Sequence, residues 1–221
     1  MVVSALGAAY AGISRVVEDL DDLDLLLPSG CHGWSIADLL LHLTLDAQRA
    51  LIAFATPAAV PADVDAISYW RTSDSNDPEA ALAHIQRVRR SAAAFGKPSG
   101  VVRLWSDTAP AAVRAAEAAD PDGCVATQGH VLTVPDFTTT LVTEAVIHHL
   151  DLIMSLPGAA EPAPAAITVA LSTLDGLAGP DGLPARWEPR EALLKGAGRQ
   201  DLDAADRRAL GGRAEQFPLL G

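Results

Sequence analysis

Cysteine is nearly absent from this sequence: Cys31 and Cys124 are its only two. Two thiols are too few for a disulfide framework, and their spacing fits neither a zinc ribbon nor a redox motif. A reducing cytoplasm suits such a chain. Basic residues are also scarce, with 16 Lys and Arg against 28 Asp and Glu and a formal net charge of -12. A surface of that sign repels phosphate backbones and anionic headgroups, so neither nucleic acid nor membrane is an expected partner. No apolar run approaches the roughly 18 residues that span a bilayer. Even LVTEAVIHHLDLIMSL carries Glu, His and Asp in its middle. The start, MVVSALGAAYAGISRVVEDL, lacks the basic and apolar regions of a signal peptide. Aromatics make up 5% of the chain while alanine is abundant. That balance favours helices that approach closely with thin side chains between them. The 221 residues, 49% of them hydrophobic, suffice for one compact unit with a sizeable core.

Helical periodicity runs through most of the chain. Leu6, Tyr10, Ile13, Val17 and Leu20 mark a first helix over residues 4–27, stopped by Pro28, Ser29 and Gly30. Ser35 and Asp38 have capping-box spacing, and the helix they open should run to Ala55, before Pro57. Asp77 as cap and Pro78 at the first helical position predict a third helix ending near Phe95 and Gly96. A short helix is expected over residues 111–119. The β-branched stretch CVATQGHVLTV, residues 124–134, reads as a small hairpin or extended loop around Gln128 and Gly129. Pro135 then opens a helix over residues 136–156. Residues 159–166 form a linker-like stretch, followed by short helical patterns at 167–177 and 190–195 and an Asp203-capped turn to Leu210. The apolar tail FPLLG should dock onto the bundle.

On the helix that follows Pro135, the positions Phe137, Leu141, Glu144, His148 and Leu152 alternate steps of four and three, so they form one core-facing stripe. A buried carboxylate and imidazole cost several kcal/mol each if left unpaired. His42, inside LLLHL, poses the same problem. A metal would compensate all three. Two imidazoles and a carboxylate make a three-ligand set with a position left open, as catalytic zinc sites have. The plain alternatives are a hydrogen-bonded surface pair for Glu144 and His148 and a satisfied core histidine for His42. Asp151 is one turn beyond His148 and is the first candidate to orient its ring, ahead of Asp38 and Asp46, which flank His42. His149, rotated about 100° from His148, is expected to pack or to face solvent. His32, His84 and His130 read as surface or loop residues. Cys31 reads as a buried structural thiol within reach of the site. RVRR, residues 87–90, reads as a solvated face from which one arginine could reach an anionic ligand at the bundle mouth.

Two segments together, GWSIADLLLHL at residues 33–43 and EAVIHHLDL at residues 144–152, resemble the metal-binding N-terminal domain of the mycothiol-dependent maleylpyruvate isomerases, a branch of the DinB-like superfamily. The resemblance spans roughly residues 1–157. It implies an all-α fold: a DinB-like four-helix bundle over residues 1–158, with a short helical C-terminal extension, residues 159–221, packed on it. It also implies His42, Glu144 and His148 as ligands of a divalent metal, zinc first and nickel second. The implied chemistry is that of a transferase or isomerase in which the metal activates the thiol of mycothiol, or of a similar small thiol, toward an electrophilic substrate. A coordinated thiol is deprotonated near neutral pH, and the thiolate is the nucleophile. Two departures qualify the match. Thr143 stands where the isomerase motif usually has arginine, and residues 159–221 carry short helical patterns in place of a separate domain. Two other classes fit the same ligands: a non-catalytic small-molecule binder or regulator, and a metal-dependent hydrolase. Monomer and homodimer are both compatible with the pattern.

Overall fold

The computed structural model describes residues 2–72 and 78–220. Among these residues it contains eight α-helices and one three-stranded antiparallel sheet. Four helices close a ring: α1 (Val2–Val17), α2 (Ile36–Ala55), α4 (Ser99–Ala118) and α5 (Val134–Ile153). In this ring α2 packs on α4, α4 on α1, α1 on α5 and α5 on α2. The helix α3 (Pro78–Ala93) lies against α2, and α6 (Pro164–Ala178) covers α5 and α1. The remaining helices, α7 (Pro189–Gly196) and α8 (Ala204–Leu210), follow, with α7 on α6. No helix among the described residues is long and apolar enough to cross a membrane.

The predicted capping box at the start of α2 is present: Ser35 Oγ accepts from Asp38 N (3.2 Å) and Asp38 Oδ2 from Ser35 N (2.9 Å). The predicted Asp77 cap lies outside the described residues. The hairpin forms from β2 (Cys124–Thr127) and β3 (His130–Thr133), with Thr127 opposite His130. Gln128 and Gly129 both take positive φ (47° and 84°), the two-residue turn whose twist matches paired strands. A short strand, β1 (Pro57–Ala58), adds to β2 and was not expected from sequence. Two residues are too few to show any periodicity.

Two helices differ in length from expectation. The first stops at Val17 because the acidic run beyond it bonds to its own backbone. Asp21 Oδ1 accepts from Leu23 N (2.7 Å) and Asp24 N (2.9 Å), an alternative to helical pairing. A 3-10 turn, Asp24–Leu26, follows. Conversely, α4 begins at Ser99 and continues through Pro110. Burial of Trp105, Ala109, Ala112 and Ala116 along one stripe outweighs the roughly 3 kcal/mol that an interior proline costs.

The helix α5 is buried on nearly every side, from Val134 to Ile153, because α1, α2 and α6 all pack on it. It is the axis of the molecule. The C-terminal region shares the same core through Ala166, Ala170, Leu174 and Leu193. The tail docks as expected, with the N–H groups of Leu219 and Leu220 donating to Gly196 O at 2.8 and 3.1 Å.

Candidate metal centre

The packing of α2 against α5 brings His42, Glu144 and His148 together. His42 Nε2 lies 3.8 Å from Glu144 Oε1, and His148 Nε2 lies 3.8 Å from Glu144 Oε2. The two imidazole rings are 5.0 Å apart and nearly perpendicular. One ligand atom from each residue lies within 4.8 Å of the other two. These gaps exceed hydrogen-bond length. They approach the edge of a tetrahedron with zinc bonds of about 2.0–2.1 Å, which is roughly 3.4 Å.

Asp151 sits on the far side of His148. Its Oδ2 is 2.9 Å from His148 Nδ1. A carboxylate only accepts, so Nδ1 donates to Asp151 and Nε2 faces Glu144. Arg199, between α7 and α8, donates from Nε to Asp151 Oδ1 and from Nη2 to Oδ2, each at 3.0 Å. The Cys31 thiol donates to the same Oδ2 at 3.2 Å and lies 3.5 Å from His148 Nδ1. Cys31, His148 and Asp151 thus make a second cluster of donors. That cluster already has its cation in the Arg199 guanidinium, and a metal there would meet direct repulsion. Among the described residues, no guanidinium or ammonium group pairs directly with His42, Glu144 or His148.

The electrostatics of the centre point the same way. Burial disfavours the Glu144 carboxylate, but the His42 and His148 rings more than reverse this and hold it down at about 2. Burial also opposes a charge on His42, yet the Asp46 and Glu144 carboxylates lift its pKa above the ordinary imidazole value. Asp46 is itself pushed up, by burial first and by Glu144 among its neighbours. It lies 3.4 Å from His42 Nε2 and is paired with Arg49 at 2.9 Å. A site that gathers the Glu144 and Asp46 carboxylates around two imidazoles attracts positive charge, which a divalent cation would supply.

Glu144 and His148 open onto a cavity of about 310 Å³ whose walls include Trp70, His84, Ile147, Arg199 and Leu220. A narrower crevice beside it, lined by Arg49, Tyr69, Gln128 and Thr140, shares Trp70 and Glu144. His84 corrects the sequence reading. It is half-buried on α3, its ring 5.5 Å from those of His42 and Trp34, at the cavity wall. Burial is the largest of the effects that lower its pKa to about 4. Arg87, from the basic run, donates to His84 Nδ1 at 2.7 Å. His149 packs, as expected: it is 1% exposed and Nε2 donates to Ala160 O at 2.9 Å. His32 is exposed, and His130 pairs with Asp63 at the hairpin, 3.3 Å away. Asp38 is occupied in the capping box and takes no part in the centre. Thr143 is buried, its hydroxyl 3.0 Å from that of Thr173 on α6. Arg199 and Trp70 escaped the sequence reading, which took Leu220 only as part of a docking tail. Nothing in their local pattern distinguishes them from ordinary loop residues.

The fold and this geometry define a helical bundle with a His, Glu and His cluster where α2 packs on α5. The profile described as Mycothiol maleylpyruvate isomerase N-terminal domain matches residues 6–153, and the chain belongs to that family. Two solved structures share its fold: the mycothiol-dependent maleylpyruvate isomerase and a histidine-to-alanine mutant of it. Each is 16% identical, with a TM-score of 0.53, over 80% of this chain and 68% of that one. No curated protein matches the chain.

Proposed function

We propose that the chain is a metal- and thiol-dependent transferase or isomerase in which His42, Glu144 and His148 hold a divalent ion, zinc before nickel. The observation that carries the reading is the convergence of these three donors, without hydrogen bonds to one another, with Glu144 and His148 at the wall of a cavity of about 310 Å³. A divalent ion in that position acidifies a thiol that reaches it and makes the thiolate available as a nucleophile. Asp151 keeps His148 Nε2 aimed at the centre. Trp70, Ile147 and Leu220 supply apolar wall against which a small electrophile can be held out of water. Membership of the mycothiol isomerase family makes mycothiol, or a similar low-molecular-weight thiol, the cofactor of choice.

The hydrolase reading needs a free general base near the open ligand position. Asp151, the carboxylate hydrogen-bonded to His148, has both oxygens engaged, by Arg199, His148 and Cys31. That occupancy favours thiol chemistry. The division into a bundle, residues 1–158, and a packed extension, residues 159–221, is part of the same proposal, as are a cytoplasmic setting, consistent with two free thiols, and a monomer or homodimer as the working unit.

Elemental analysis of the purified protein beside Glu144→Ala is the primary test. Near-stoichiometric zinc or nickel in the parent, lost in the variant, is expected. Thiol consumption with a panel of unsaturated electrophiles should then depend on the metal. A parent that neither carries nor takes up metal would overturn the proposal.

A further inference from the structure

Asp151 is held through both of its carboxylate oxygens, and the residue that grips both comes from the far end of the chain. Gly198, at positive φ (70°), turns the chain after α7, and Arg199 N donates back to Leu194 O at 2.7 Å. That turn aims the guanidinium at Asp151, with Nε on Oδ1 and Nη2 on Oδ2, both at 3.0 Å. Nη1 donates to Ala197 O at 2.7 Å, so the head group is itself braced. The docked tail lies beside this turn through Gly196, and Arg199 and Leu220 both reach the cavity wall. Gly196, Gly198, Arg199 and Leu220 all lie beyond residue 153, where the family match ends.

Without the guanidinium, Oδ1 would lose its donor, while Oδ2 would still be sought by both the His148 N–H and the Cys31 thiol. The carboxylate could then rotate, and the His148 ring with it. Fork-on-fork pairing from arginine fixes the plane of a carboxylate, which a lysine cannot do.

We infer that Arg199 is a positioning residue of the metal centre: by clamping both oxygens of Asp151, it fixes the His148 ring with Nε2 toward Glu144, so that the segment after α7 sets the affinity for a divalent ion. The inference rests on the metal reading proposed above and adds to it a role for a segment outside the matched domain.

The test is zinc affinity by competition with a chromogenic chelator, together with the visible spectrum of the cobalt-substituted protein. Arg199→Ala and Asp151→Asn should each weaken zinc binding by about 10–100-fold, the usual cost of losing an outer partner. Arg199→Lys, which keeps bulk and charge, should recover part of the loss and guards against a misfolded alanine variant. Combining Arg199→Ala with Asp151→Asn should weaken binding no more than about twofold beyond Asp151→Asn alone, since both act through one carboxylate. A general loss of stability would instead add in full. Arg190→Ala, which breaks an exposed pair with Glu161 in the same region, should leave affinity and spectrum unchanged. Tight zinc in the parent with Arg199→Ala within about twofold of it, or fully additive losses, would overturn the inference alone. No zinc in the parent would overturn the metal reading and the inference with it.

Discussion

Gly30→Ala isolates the packing that holds Asp151. A Cβ on Gly30 would meet Asp151 Oδ1 at 2.4 Å, Cα at 2.9 Å and Cβ at 3.0 Å. Gly30 does not have positive φ, so alanine suits the backbone and the whole effect is steric. The Cα of a helix at the centre of the core cannot yield, and the loop must move instead. That movement stretches the bond from Gly30 N to Asp151 O, now 2.8 Å. Overpacking of this kind costs about 1–3 kcal/mol, and the strained hydrogen bond adds about 1. A loss of about 2–4 kcal/mol corresponds to a fall in Tm of roughly 4–16 °C for a chain of this size. Urea denaturation followed by circular dichroism, in metal-free buffer, reads it directly. Gly212→Ala is the control, because nothing lies within 4 Å of its Cβ, and it should stay within about 0.5 kcal/mol of the parent. If Gly30→Ala behaved like Gly212→Ala, the loop would be free to retreat and Asp151 would not be held as described.

The ligand set makes its own prediction: His42→Ala or His148→Ala should abolish tight zinc binding, whereas His149→Ala should leave it nearly intact while lowering stability, since that ring is buried against α1. Equal losses of zinc at all three would refute the assignment, and isothermal titration measures it. Removing zinc from the parent should lower Tm, by about 2.7 kcal/mol of stability relative to zinc held at 100 times its Kd, and calorimetry with and without chelator checks this. Asp206→Asn should destabilise by about 1–3 kcal/mol in urea titration, because it leaves the buried Lys195 (2% exposed) with Glu191 alone of its two carboxylate partners. The pair also sets a pH window. Burial works against the Asp206 carboxylate, but Lys195, Trp187 and the Asp203 N–H hold it below the ordinary range, so its contribution is full above that range and lost as pH falls. Burial likewise opposes the Lys195 charge, but Asp206 and Glu191 raise its pKa, so its contribution is full below the ordinary ammonium range and lost as pH rises. Urea midpoints measured across pH should trace both limbs in the parent and flatten in Asp206→Asn.

Much of the architecture could be read from short windows. The capping spacing of Ser35 and Asp38 started α2 where it starts, the Gln128–Gly129 pair turned the hairpin, and Asp203 capped α8. Each of these depends on bonds that close within four residues. The same locality made Glu144 and His148 neighbours, since residues four apart on a helix share a face. Reading failed where a distant contact overruled a local rule. Trp105 and its stripe carried α4 through Pro110, and β1 exists only because β2 offers it a free edge.

The centre divides along the same line. Helical periodicity dictated which donors could face the core and that His149 would turn away from His148. Only the packing of α2 on α5 decided that His42 meets Glu144 at 3.8 Å. Only the return of the chain after α7 decided that Arg199, 48 residues beyond Asp151, clamps it. A periodic pattern encodes which face of a helix is buried; which faces then meet, and at what register, depends on the simultaneous burial of residues far apart in the chain, and no local window contains that information.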